Sequence, residues 1–274
     1  MRWLEDLLAD GWWATGRAVR FQLPNQSEST ITYGDLCRQA ATLAGRIGES
    51  GEGAQIRLAI LTMGSAEGLV ALLAGLIVGA VVISTPIQTT SPWSADLLGD
   101  PDIVLTDATG AAVLECHERL IGVQPRYRVL TVDLAEPATA TVRPSICSDQ
   151  DDVCKIAYLD SGRSPLVVAL TGFALDTAVR QQGGRRSAAG GALSSLTGQL
   201  ATYRTLLAGG VVDLTAHRPA ASSLLSPMPE MGVHRPSGSS DRSADPLPYI
   251  VDNLARLHEL VSETAPPERS AVLS

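Results

Sequence analysis

The sequence predicts an α/β fold with a largely parallel sheet flanked by helices, on three observations. Apolar residues make up 45% and charged residues 18% of a 274-residue chain, enough for a sizeable core and far from a disordered composition. Strand-period and helix-period segments alternate from Ala18 to Val132. The uncharged run from Gly68 to Ser94 divides into a helix-sized piece and a β-branched strand-sized piece.

The elements follow in order. Leu4–Leu8 has the pattern of a short amphipathic helix, and Ala18–Leu23 alternates Val19 and Phe21 as a strand does. Asn25–Thr30 reads as a polar turn. Thr32 stands three residues before Asp35, a capping-box pattern, and Leu36, Ala40, Leu43, Ala44 and Ile47 then share one helical face. Gly48–Gly53 ends that helix, and Gln55–Thr62 alternates Ile56, Leu58 and Ile60 as a strand. Ser65 is the expected cap of a helix reaching Val78, with Gly79 as its stop and Ala80–Ser84 as the next strand. A short helix over Ser91–Leu98, a strand at Ile103–Leu105, a helix over Ala111–Leu120 and a strand at Val129–Val132 complete the alternation.

Glu136–Ser148 is a Pro/Ala/Thr linker leading to two apolar strands, Lys155–Leu159 and Leu166–Leu170, around the turn Asp160–Pro165. Helices are expected over Phe173–Gln181 and Ala192–Leu207, and an amphipathic one over Tyr249–Glu263. Gly183–Gly191 and Arg218–Leu247 carry little periodicity and read as structureless. The organisation expected is an α/β domain over 1–175 and a divergent, partly low-complexity and poorly ordered region over 176–274, with a helix near 249–263.

Charge excludes one class of partner. Residues 1–160 hold 20 acidic and 11 basic side chains, and no basic stripe exists, which argues against nucleic acid. Arginine outnumbers lysine 20 to 1, with Lys155 the only lysine, a bias expected of a GC-rich genome. Cys37, Cys116, Cys147 and Cys154 lack metal-ligand spacing, so free thiols in a reducing, cytoplasmic setting are expected and no metal site. Glu5, Asp6 and Asp10 interrupt the first apolar stretch, unlike a signal peptide. Leu69–Ile87 is long enough to cross a bilayer. Gly75 and Gly79 within it, Pro86, and the lack of closely flanking Lys or Arg make a span the less favoured reading.

The run Ile31-Thr32-Tyr33-Gly34-Asp35-Leu36, the strand Arg57–Leu61, Glu67–Gly79 leading into Ala80–Pro86, and Asp100–Thr106 occur in a distinctive order. Together they resemble the N-terminal part of the adenylate-forming superfamily, most closely its fatty-acyl-AMP ligases and acyl-CoA ligases. The resemblance covers about residues 3–175. It implies ATP and Mg²⁺ as cofactors, a fatty acid or acyl chain as substrate, and the reaction of ATP with a fatty acid to give acyl-AMP and pyrophosphate.

The family's phosphate loop, Tyr-Thr-Ser-Gly-Ser-Thr-Gly-x-Pro-Lys-Gly, lies between two strands. Here Ala157-Tyr158-Leu159 and Val167-Val168 match its flanks, and Ser161, Gly162, Ser164 and Pro165 match within it. By resemblance Ser161, Gly162, Arg163 and Ser164 are the nucleotide-binding positions, Arg163 because guanidinium pairs well with phosphate. The loop departs from the pattern in three ways. The threonines are missing, the loop is several residues short, and Leu166 replaces the lysine. Asp160 also sets a carboxylate beside the anion, a repulsion on the order of a few kcal/mol at a surface-like dielectric.

Met228–Val233 is only faintly similar to a later family segment, and the catalytic lysine domain has no counterpart. No Gly-x-Ser-x-Gly elbow, Walker loop, dinucleotide fingerprint or His-Glu-x-x-His occurs. The expected function is therefore that of a fatty-acid adenylating enzyme in truncated form, inactive alone, with its catalytic residues unassigned. The alternatives are a non-catalytic acyl-binding or scaffold protein with a protein partner, and a single-pass membrane protein.

Overall fold

The structure, a computed structural model, describes residues 1–9, 16–22, 27–49, 55–62, 66–84, 101–108, 110–112, 114–115, 126–138, 152–159, 166–180, 187–189, 193, 195–215 and 249–251. Its order begins with α1 (Arg2–Leu8), β1 (Arg17–Gln22), β2 (Glu28–Thr32), α2 (Tyr33–Gly48), β3 (Arg57–Leu61), α3 (Ala66–Ile77), β4 (Val81–Ser84) and β5 (Ile103–Thr106). After a helical stretch at 110–112 and 114–115 come β6 (Arg128–Thr131), β7 (Val153–Leu159), β8 (Leu166–Thr171) and α4 (Gly172–Arg180). Then follow β9 (Ser187–Ala189), α5 (Leu196–Leu207), β10 (Val211–Asp213) and β11 (Tyr249–Val251).

Seven strands form the main sheet, in the order β11-β8-β7-β4-β3-β5-β6. Every neighbouring pair is parallel except β7 with β8, which are antiparallel. The largely parallel sheet is thus as expected. Alternation along β3 separates two faces. Leu58 and Ile60 join the principal core with α2 and α3, whereas Ala59 and Leu61 meet Val104 and Leu114 on the opposite side. Helices on both faces explain why β4 and β5 are buried at every position.

A second sheet was not foreseen. It has the order β2-β1-β10-β9, so its strands come from both sides of residue 175. β1 and β2 pair antiparallel, with Val19 opposite Ile31, where the sequence suggested a polar turn over 25–30. The correction has a simple cause. β2 is an edge strand whose only buried residue is Ile31, and its remaining polar positions imitate a turn. β9 falls inside the segment expected to lack structure over 183–191; Ser187-Ala188-Ala189 carry no strand propensity and are held by pairing with β10.

Tyr249–Val251 corrects the start of the helix expected over 249–263. It is a strand, parallel to β8, and 252–263 lie outside the described residues. The helix expected over 192–207 begins only at Leu196, with Ser195 as its cap. The linker from 139 onward, the helix over 91–98 and the segment 218–247 also lie outside the described residues.

The apolar run 69–84 is a buried helix and a buried strand, not one continuous span, which overturns the membrane-spanning alternative for these residues. Among the described residues no helix is long and apolar enough to cross a membrane. Gly79 separates the two pieces as predicted. Its φ is 75°, and the bonds Gly79 N–H to Leu76 O (3.3 Å) and Ala80 N–H to Gly75 O (3.0 Å) form a Schellman ending. Gly75 does not interrupt the helix. It lies within α3, where a Cβ would stand 2.6 Å from Val82 Cγ2, so it serves close packing of α3 on β4.

The capping pattern at Thr32 is realised. Thr32 Oγ1 accepts from Asp35 N–H at 3.1 Å and donates to Asp35 Oδ2 at 2.6 Å. These bonds, with Arg38 beside the carboxylate, hold Asp35 below its ordinary pKa. Thr32→Ala is expected to cost about 1 kcal/mol, read as a lowered urea midpoint at unchanged slope. Tyr33, the next residue, donates its hydroxyl to Gly210 O at 2.6 Å, with Leu206 O also 3.0 Å away, tying the start of α2 to the end of α5.

Candidate functional site

The sheet delivers β3, β4, β5 and β7 to one edge, the carboxyl ends of four mutually parallel strands. In open α/β sheets that edge is where ligands bind, beside strands whose connections leave to opposite faces. The strands β3 and β5 are such a pair, because α3 packs on the main core face and the helical stretch carrying Leu114 on the other.

At the β3–β5 position the edge is closed by its own groups. Thr106 Oγ1 donates to Leu61 O at 2.8 Å, and Asp107 Oδ1 accepts from Gly110 N–H at 2.7 Å. A Cβ on Gly110 would stand 2.3 Å from Leu61 O, so only glycine permits this closure.

The β4–β7 position holds the chemically distinctive pair. Val82 stands opposite Lys155 and Ser84 opposite Ala157, so alternation places Ser84 and Lys155 diagonally on one face. Lys155 Nζ lies 2.8 Å from Ser84 Oγ. The lysine side chain is fully buried and Ser84 is 4% exposed.

No carboxylate pairs with Lys155 among the described residues. Burial draws its pKa from an ordinary 10.5 down to about 7, with Cys154 opposing weakly. The amine is therefore largely neutral above neutrality and able to take up a proton. The adjacent Cys154 thiol donates to Leu170 O, and burial pushes its pKa up to about 11, so it stays protonated and unreactive.

Sequence reasoning noted Lys155 only as the sole lysine. The available signal was its place in Val153-Cys154-Lys155-Ile156-Ala157, an otherwise apolar strand. Ser84 carried no signal of its own. The predicted nucleotide positions Ser161, Gly162, Arg163 and Ser164 lie outside the described residues, but the strands that hold them do not. Leu159 pairs with Leu166, so six residues, 160–165, join β7 to β8. Leu166, which stands where the resemblance leads one to expect a lysine, is itself the first residue of β8.

The only lysine is a buried amine already engaged by Ser84. Among the described residues no group of three or more His, Cys, Asp or Glu side chains could hold a metal ion.

No family model matches the sequence, and a search of curated proteins finds no match. Solved structures do match. The A-PCP of McyG complexed with phenylalanyl-adenylate superposes with a TM-score of 0.62 at 12% identity, over 77% of this chain and 36% of its own. The ATP-bound MatB from Rhodopseudomonas palustris gives 0.59 at 18% identity, over 77% and 44%. The adenylation domain of a keto acid-selecting NRPS module, bound to keto acyl adenylate, gives 0.60 at 17% identity, over 77% and 42%. The chain shares its fold with part of these adenylating enzymes. It spans less than half the length of each.

Proposed function

We propose that this chain has the scaffold of a fatty-acid-adenylating enzyme in truncated form and does not form acyl-adenylate by itself. The pairing of Leu159 with Leu166 carries the reading. It limits the β7–β8 connection to six residues, and a shorter loop brings fewer N–H and O–H donors to a triphosphate. Within those six, Asp160 opposes the anion and only Arg163 attracts it. Leu166, paired in the strand, supplies no charge where the family has lysine. The shared fold and the motifs between Ile31 and Thr106 support descent from a carboxylate-activating enzyme.

The test is ATP–pyrophosphate exchange by the purified chain with a panel of fatty acids and Mg²⁺. Exchange at the background rate is expected, and robust exchange with any fatty acid would overturn the proposal. A thermal-shift series separates binding from turnover. A ligand at 100 times its Kd adds about 2.7 kcal/mol, which displaces the unfolding midpoint measurably. Stabilisation by a fatty acid but not by ATP is the outcome expected of an acyl-binding protein without adenylation chemistry.

A further inference from the structure

We propose that Ser84 and Lys155 form a serine–lysine acyl-transfer site, with Ser84 as nucleophile and Lys155 as its general base, acting on activated carboxylic esters. The inference is independent of the adenylation reading, since it needs neither ATP nor the 160–165 connection.

Four observations support it. Nζ and Oγ are 2.8 Å apart, within the reach a base needs to take a hydroxyl proton. The amine is enclosed by apolar strands with no described carboxylate partner, the setting that keeps a lysine unprotonated and basic. Among the described residues Cys154 is the titratable group that acts on it electrostatically, and its thiol remains neutral. Finally, Ser84 ends β4 at the ligand-binding edge of the sheet and retains a little exposure, whereas Lys155 behind it has none.

The chemistry balances without a further reagent. Ser84 Oγ bonds to the acyl carbon while its proton passes to Lys155 Nζ. The bond from acyl carbon to the leaving oxygen breaks, and the ammonium returns the proton to that oxygen. Water then attacks the acyl-Ser84 ester and gives a proton to Nζ, which passes it to Oγ as the carboxylic acid departs.

The experiment is covalent labelling of the full chain with a fluorophosphonate probe, located by peptide mass spectrometry. Ser84 is expected to be the labelled residue, at a rate that rises with pH and levels off above about 7. Ser84→Ala should abolish labelling. Lys155→Met should slow it by about 10²-fold or more, the usual contribution of a positioned base, with the fold intact by circular dichroism. Absence of Ser84 labelling in the wild-type protein between pH 6 and 9, or an unchanged rate in Lys155→Met, would overturn the proposal. Either result would leave a buried structural hydrogen bond.

Discussion

Lys155→Met is expected to stabilise the protein by about 2–4 kcal/mol near pH 8 and to remove a pH dependence that the wild type carries. The sign follows from the direction of the shift. Burial lowers the folded-state pKa to about 7, against an ordinary 10.5 for the exposed side chain of the unfolded chain. Between these values the unfolded state holds the proton and the folded state does not, so stability rises with pH by up to about 1.4 kcal/mol per unit. Below the folded value both states are protonated and the full penalty applies. Above the unfolded value neither is, and the penalty disappears.

Methionine nearly matches lysine in length and has no charge to desolvate, while the loss of the Ser84 bond offsets about 1 kcal/mol of the gain. Urea unfolding of both proteins between pH 6 and 10.5 provides the test. The difference between the two curves should narrow as pH rises, and parallel curves would contradict a depressed lysine pKa. A residue that costs stability while placing a basic amine beside a hydroxyl is the pattern expected of function rather than packing.

Trp3→Ala is expected to cost about 3–5 kcal/mol, the largest loss among simple truncations of this core. Trp3 is fully buried and stacks on Tyr203, with ring centroids 4.8 Å apart and planes at 28°. Its backbone N–H donates to Asp176 Oδ1 at 2.9 Å, and Arg180 joins Asp6 and Asp176, so α1 is fixed to α4 as well as to α5.

Removing the indole empties the space that holds the three helices together. The cost arises from packing, because among the described residues Trp3 Nε1 and the Tyr203 hydroxyl have no hydrogen-bond partner. Tyr203→Phe should therefore be neutral or stabilising, since it deletes an unpaired buried donor. Thermal unfolding of both variants distinguishes the two effects, and a large loss in Tyr203→Phe would show that the hydroxyl is engaged.

Periodicity made the elements near α2, β3, α3, β4 and β5 legible, because each buries a regular set of apolar residues within one short window. The same method failed for β2, β9 and β11. Those strands are short, edge-lying or built of small and polar residues, and β9 and β11 take their hydrogen bonds from partners more than twenty residues away in the chain. The candidate site was half legible. Lys155 was conspicuous as the only lysine, whereas its partner Ser84 is 71 residues away and looks like any serine at the end of a strand.

Local pattern alone specifies the alternation of helices and strands, the glycine that divides 69–84, and the motif order that resembles an adenylating fold. These features are written in local pattern and chirality, which need no partner to be read. Long-range packing is what brings β1 and β10 into one sheet, encloses 69–84 in protein, and sets Ser84 against Lys155. Those depend on which strands become neighbours. Register, unlike periodicity, is fixed by the packing of the whole core.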